Sequence, residues 1–295
     1  MKIIFDRSAS HGNRFDVLKG SRLSQLVQER KVLVYHTAVF LEETLRMARS
    51  TKQGAKDELR RQWPFLASIC NGGWFKPLLF GQPPKLKSVC DEELDGGDKD
   101  DSWPLVPSKH RIAIEAKVAK FLEESGPLPE LDNARPIYDQ NEQVKMENKA
   151  LLLELRKKPT GPKDETFPEY YQFCIVEAAS LFIHRPGALN QLQVKLAPLD
   201  QPQVKFDAWK RDPTKFPHFT AFLGFFIYSL YDAEQNQNSP LDRNWQADAE
   251  QLCFLVDVDV IVSSDLEFMR RALEALWQPS QKRMFTPEEF VEALT

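Results

Sequence analysis

Apolar positions along the chain follow two regimes. In the first fifty residues short runs rich in Val and Ile alternate with stretches of helical spacing: "KIIFD", then "RFDVLKGSRLSQLVQER", then "KVLVYHT", then "AVFLEETLRMARS". This strand, helix, strand, helix order predicts a parallel sheet with helices packed on it. The last fifty-odd residues repeat the theme. "WQADAEQLCFLVD" has helical spacing, "DVIVSS" is a strand, "DLEFMRRALEALW" a helix and "KRMF" a short strand. "TPEEFVEAL" closes as a helix in which Thr286, Pro287 and Glu289 spell a capping box with Pro at the first helical position. The two ends therefore read as one α/β unit, residues 1–50 with 240–295.

Between them, over 51–239, the period lengthens to that of helices. "KHRIAIEAKVAKFLEE", "NEQVKMENKALLLELRKK", "FPEYYQFCIVEAASLFIH" and "FPHFTAFLGFFIYSLYDAE" are separated by proline-rich links such as "FGQPPKLK", "GPLPELDNARP" and "KKPTGPKDETFP". This predicts a mainly helical insertion. Its most apolar run, Phe219 to Tyr231, covers 13 residues, too few to span a bilayer and suited to a core helix.

The strand "DVIVSS" is nearly continuous in Val and Ile, as in a sheet covered on both faces, and ligands of such sheets gather at the carboxyl ends of the strands. Asp265 lies just past that end, where an N-cap is the plainer reading of an aspartate. Other acids reach the same edge. Asp6 follows the first strand, and Glu42 and Glu43 open the helix after the second. Asp248 opens the helix before "DVIVSS": about eight helical residues descend ~12 Å, and about five strand residues climb ~17 Å. Four carboxylates from four segments repel one another, and a hard divalent cation, Mg²⁺ or Mn²⁺, is their natural neutraliser.

The order "IIFD…S" (Asp6, Ser8), "HTAVFLEETL" (Glu43), "ADAEQLCFLVDVDVIVSSD" (Asp248, Ser263, Asp265) and "MFTPEEFVEAL" resembles the PIN domain, an α/β nuclease fold that includes the ribonucleases of toxin–antitoxin pairs. The resemblance covers residues 1–50 and 242–295. It implies a three-layer parallel sheet flanked by helices and a Mg²⁺- or Mn²⁺-dependent endonuclease. Asp6, Glu43, Asp248 and Asp265 would hold the ions, and Ser8 and Ser263 would orient ligands or substrate. Single-stranded RNA is the nucleic acid it favours, with an inhibitor or partner protein as a further expectation. The chain departs from the pattern at Arg7, where many members carry a small hydroxyl residue. Glu42 competes with Glu43 for the second position, Asp242 with Asp248 for the third, and the insertion is much longer than usual. The alternative is a non-catalytic PIN-like scaffold that binds a partner through the insertion.

Composition narrows these readings slightly. The chain has 295 residues, 42% of them hydrophobic, and a formal net charge of −4, which argues against a wholesale polyanion binder while leaving room for a local basic groove. Such a groove is suggested by Trp209, Lys210 and Arg211, an aromatic–basic mixture suited to single strands; Lys109–Arg111, Arg156–Lys158 and Arg270–Arg271 read as solvated faces. The acidic run Asp91–Asp101 half-matches a calcium loop but carries Ser102 at the twelfth position, so it reads as a solvated loop. The four cysteines form no CxxC pair and the histidines no evident constellation, and no leader is apparent behind Met1, which makes the cytoplasm the expected compartment.

Overall fold

The computed structural model describes residues 1–47, 54–78, 88–96, 99–124, 166–184, 199–235, 245–264, 267–277 and 281–295. Five strands form one sheet: β1 (Lys2–Phe5), β2 (Leu33–His36), β3 (Gly73–Trp74), β4 (Val260–Val262) and β5 (Arg283–Phe285). Their order is β3-β2-β1-β4-β5, and every neighbouring pair is parallel. The described helices are, in order, α1 (Asn13–Gly20), α2 (Leu23–Gln28), α3 (Ala38–Arg46), α4 (Ala55–Ile69), α5 (Val89–Asp95), α6 (Ser108–Glu124), α7 (Phe167–His184), α8 (Pro202–Arg211), α9 (Pro217–Gln235), α10 (Trp245–Cys253), α11 (Glu267–Trp277) and α12 (Pro287–Ala293).

Side chains of a strand point alternately to its two faces, and β1 divides its residues between two cores accordingly. Ile3 and Phe5 join Phe15, Leu18, Trp63, Leu66, Val260, Val262 and Phe290 on one face. Ile4 joins Ile261, Met284, Phe254 and the aromatic face of α9 on the other. Both faces being covered, β1 and β4 consist almost wholly of Ile, Val and Phe. The α/β class expected from the sequence is thus an all-parallel sheet flanked by helices. Thr286 caps α12 as expected, its hydroxyl accepting from Glu289 N while Glu289 Oε2 accepts from Thr286 N at 2.8 Å. Among the described residues no helix is long and apolar enough to cross a membrane; α9 instead buries Phe219, Phe222, Leu223, Phe225, Phe226, Ile227 and Tyr228.

One strand of the sheet falls beyond residue 50. The described part of 51–239 is mainly helical, but β3 lies within it and pairs with β2, Tyr35 opposite Gly73 and His36 opposite Trp74. Leu59, Trp63, Leu66 and Ile69 of α4 also line one face of the sheet. The segment after α3 therefore adds the β3 edge of the sheet before the chain leaves it. Two residues of strand, "GW", are too short to give a periodic signal. The helix expected over 141–158, with its basic run Arg156–Lys158, lies outside the described residues.

Candidate functional site

Parallel pairing sets the carboxyl ends of β1 and β4 side by side, with Phe5 opposite Val262. The ladder continues one step, Asp6 N donating to Val262 O at 2.9 Å. Asp6 then caps a short turn over Arg7–Ser10, which brings Ser8 back onto its own carboxylate. Asp6 Oδ2 accepts from Ser8 N at 3.2 Å, from the Ser8 hydroxyl, and from Ser263 Oγ at 2.8 Å. Oδ1 accepts from Gln251 Nε2 at 2.9 Å. Ser8 Oγ in turn accepts from Ser264 N at 2.9 Å, tying the two strand ends together. Asp6 and Ser263 are both buried.

Asp248 is also buried and lies on α10 three positions before Gln251, so the two share a face of the helix. Glu43 sits on α3, beyond buried Thr37, whose hydroxyl accepts from Phe40 N at 3.1 Å. Asp6, Ser8, Ser263 and the Asp248 face of α10 thus meet at one sheet edge, with α3 alongside. Asp265 and Asp242 lie outside the described residues. Among the described residues no three Asp, Glu, His or Cys side chains close on a common point as metal ligands do.

A cation of the chain's own stands in this neighbourhood. Arg7 Nη1 donates to Ser10 Oγ at 2.8 Å, and Nη2 lies against the Met47 sulfur at the end of α3. Burial lowers the Arg7 pKa, against the opposing charges of Glu58, Glu43 and Asp6. The residue noted in the sequence as a departure thus brings a positive charge into the neighbourhood of these acids.

The donor chemistry suits a hard divalent ion in kind, since the groups at the edge are carboxylates, hydroxyls and an amide oxygen. Gln251 supplies the most telling atom. Its amide must turn Nε2 toward the Asp6 carboxylate, because the flipped amide would set two acceptors face to face. This leaves Oε1 buried without a hydrogen-bond donor among the described residues, a state polar atoms in protein interiors rarely adopt. Sequence reasoning passed over Gln251; its three-residue spacing from Asp248 on one helix was the available signal.

A second polar cluster, also missed, lies at the other end of β4. His218, at the start of α9, is 0% exposed. Its Nδ1 meets Glu93 Oε1 at 3.0 Å and its Nε2 meets Asp257 Oδ2 at 2.7 Å. With a carboxylate on each nitrogen, both must carry protons, so the ring is an imidazolium. Burial alone would lower its pKa, but the hydrogen bonds and charges of Asp257 and Glu93 outweigh it and raise it to about 9. Glu93 also accepts from Phe219 N at 2.8 Å and pairs with Lys99 at 3.6 Å.

This geometry corrects the first part of the solvated loop expected over Asp91–Asp101; Lys99, Asp100 and Asp101 are exposed. Val89–Asp95 is a helix capped by Ser88, whose hydroxyl accepts from Asp91 N at 3.0 Å, and it packs Val89, Cys90 and Leu94 into the core. Glu93 goes inward because His218 and Phe219 N donate to it, and Asp91 is buried as well, while Asp95 stays exposed. The Trp209 reading is corrected as well. Trp209 is buried on α8 and its Nε1 donates to Thr220 Oγ1 at 3.1 Å, so its ring has no open face on which a base could stack; Lys210 and Arg211 are exposed beside it.

Set against known proteins, the chain matches no family model, no curated protein and no solved structure.

Proposed function

We propose that the chain is a metal-dependent endonuclease of the PIN type, cutting phosphodiester bonds in single-stranded RNA. The observation that carries this reading is the four-donor cradle of Asp6, which draws Ser8, Ser263 and the Asp248 face of α10 to one sheet edge. Those are segments on which the resemblance rests. In this reading Asp6 and Asp248 hold Mg²⁺ or Mn²⁺ with Glu43 and Asp265, and Gln251 fixes the Asp6 carboxylate from behind. Ser8 and Ser263 hold the other face of that carboxylate. A bound ion would supply hydroxide near neutral pH and offset charge on the phosphate.

The test is cleavage of a single-stranded RNA in Mn²⁺ or Mg²⁺, with chelator and with Asp6→Asn, Asp248→Asn and Asp265→Asn. Loss of cleavage in folded variants is expected. Wild-type protein that cuts neither RNA nor DNA with either metal would overturn the reading. Arg7 favours one second reading, a non-catalytic scaffold in which a resident positive charge stands near the acids and the insertion binds a partner; melting temperature unmoved by Mn²⁺ is its signature.

A further inference from the structure

We propose that the exposed outer sides of α6 and α7 are the two halves of one contact, and that copies of this chain join head to tail through it, α6 of one molecule against α7 of the next.

Both helices are apolar on more sides than the fold covers. α7 buries Tyr170, Ala178, Ala179, Phe182 and Ile183 in one core. It also presents Phe173, 59% exposed, and Val176, 38% exposed, three positions apart and so on one face. α6 turns Ile114, Val118 and Leu122 to the other core and leaves Ile112 62% exposed, with exposed Ala116 and Ala119 along the same side. Helices that are apolar all round are ordinarily covered all round, and grouped apolar side chains at a surface mark a contact. The two faces match in shape, because Phe173 and Val176 project while the alanines beyond Ile112 leave a shallow surface to receive them. They match in charge as well. Lys109 is exposed one turn before Ile112, whereas α7 contains no Lys or Arg and sets exposed Glu169 and Glu177 four positions before and after Phe173. The Thr166 contacts of Glu169 use only Oε2. Exposed Glu123 lies ~21 Å beyond Lys109 along the axis of α6, past the acids.

The placement of the helices decides the symmetry. α6 belongs to the core on the Ile3 and Phe5 face of the sheet and α7 to the core on the Ile4 face, so their outer sides turn away from one another. One molecule cannot close the contact on itself, and a two-fold pair cannot make it twice. The contact is therefore heterologous: each copy offers α6 to one neighbour and α7 to another, and the product is a ring or an open chain. A lone helix pair lies at the small end of specific interfaces, so assembly depends on concentration.

Sedimentation velocity over roughly a hundredfold range of concentration reads the assembly, with circular dichroism to confirm that each variant is folded. Ile112→Glu and Phe173→Glu alter exposed positions and leave both cores intact. Wild type is expected to pass beyond two chains per particle, and each variant alone to stay monomeric because one of its halves is blocked. An equal mixture of the two variants should form a pair and stop there, since the intact α7 of one meets the intact α6 of the other and both remaining halves are blocked. Lys109→Glu should raise the concentration needed for assembly at least threefold. Wild type that stays monomeric overturns the proposal, whichever other partner the faces then take. So does a mixture that stays monomeric, assembly indifferent to Lys109→Glu, or association that survives Ile112→Glu and is lost only in Phe173→Glu, which would set α7 against its own copy across a two-fold axis.

Discussion

Replacing His218 should remove most of the dependence of stability on pH between neutrality and about pH 9. The imidazolium is raised from 6.5 to about 9 in the folded chain, and at ~1.4 kcal/mol per pH unit this corresponds to ~3 kcal/mol of linked stability. A raised pKa means that the folded state holds the proton more tightly. The contribution is therefore fully present below about pH 6.5, declines through the interval, and is gone above about pH 9. Other groups titrate in the same range: burial pushes the thiols of Cys90 and Cys253 well up, so they too destabilise the fold in alkali. The variant isolates His218 from them, because its curve retains their slope. His218→Gln should itself cost ~3–5 kcal/mol at pH 6.5, since removing one partner of a buried ion cluster leaves charge uncompensated. Urea denaturation at half-unit steps from pH 6.5 to 9.5 gives both curves. Wild type should lose ~3 kcal/mol more than His218→Gln over that span. Parallel curves would mean that the ring is neutral, and the account of two donating nitrogens between Glu93 and Asp257 would fall.

Two further outcomes follow from the packing. Trp209→Ala should cost ~3–5 kcal/mol by chemical denaturation, as expected for a buried large-to-small change, while Lys210→Ala and Arg211→Ala stay within ~0.5 kcal/mol of wild type; a tolerated Trp209→Ala would restore an open ring to that face. Gly72→Ala would set a Cβ 2.7 Å from the Tyr35 ring, which is itself stacked on Phe75 at 5.0 Å, so a loss of ~1–3 kcal/mol is expected from overpacking. A melting temperature equal to wild type would show that the ring yields freely.

The sheet was legible because burial on both faces demands unbroken Val, Ile and Phe, and a demand on every residue of a strand leaves a local pattern. Asp6, Ser8 and Ser263 were legible for a related reason: each directly follows or closely trails such a run, at the edge where polar groups can serve. What escaped notice has partners remote in sequence. Nothing near Glu93 announces that its carboxylate will be met by His218, 125 positions away, so an acidic run read as solvated where the fold begins it with a helix packed on the core. Gln251 depends likewise on Asp6, 245 positions away. Trp209 beside two basic residues gives the same local text whether its ring stacks on a base or packs under α9, and Thr220 decides between them.

The order of the strands also sets a timetable. Ile3 meets Val260 across the centre of the sheet, a separation of 257 positions, so one side of β1 waits for a partner while all the residues between them are made. At ~5–20 residues per second this wait is roughly 10–50 s. Throughout it an apolar strand, "KIIF", presents unpaired backbone groups, the form of edge most prone to join another chain. Loop closure over such a distance also slows folding once synthesis ends. The nascent protein is thus most vulnerable just before β4 and β5 emerge. Shortened chains that lack them are expected to partition into aggregates, and supplying residues 242–295 as a separate segment should rescue solubility by closing that side of the sheet.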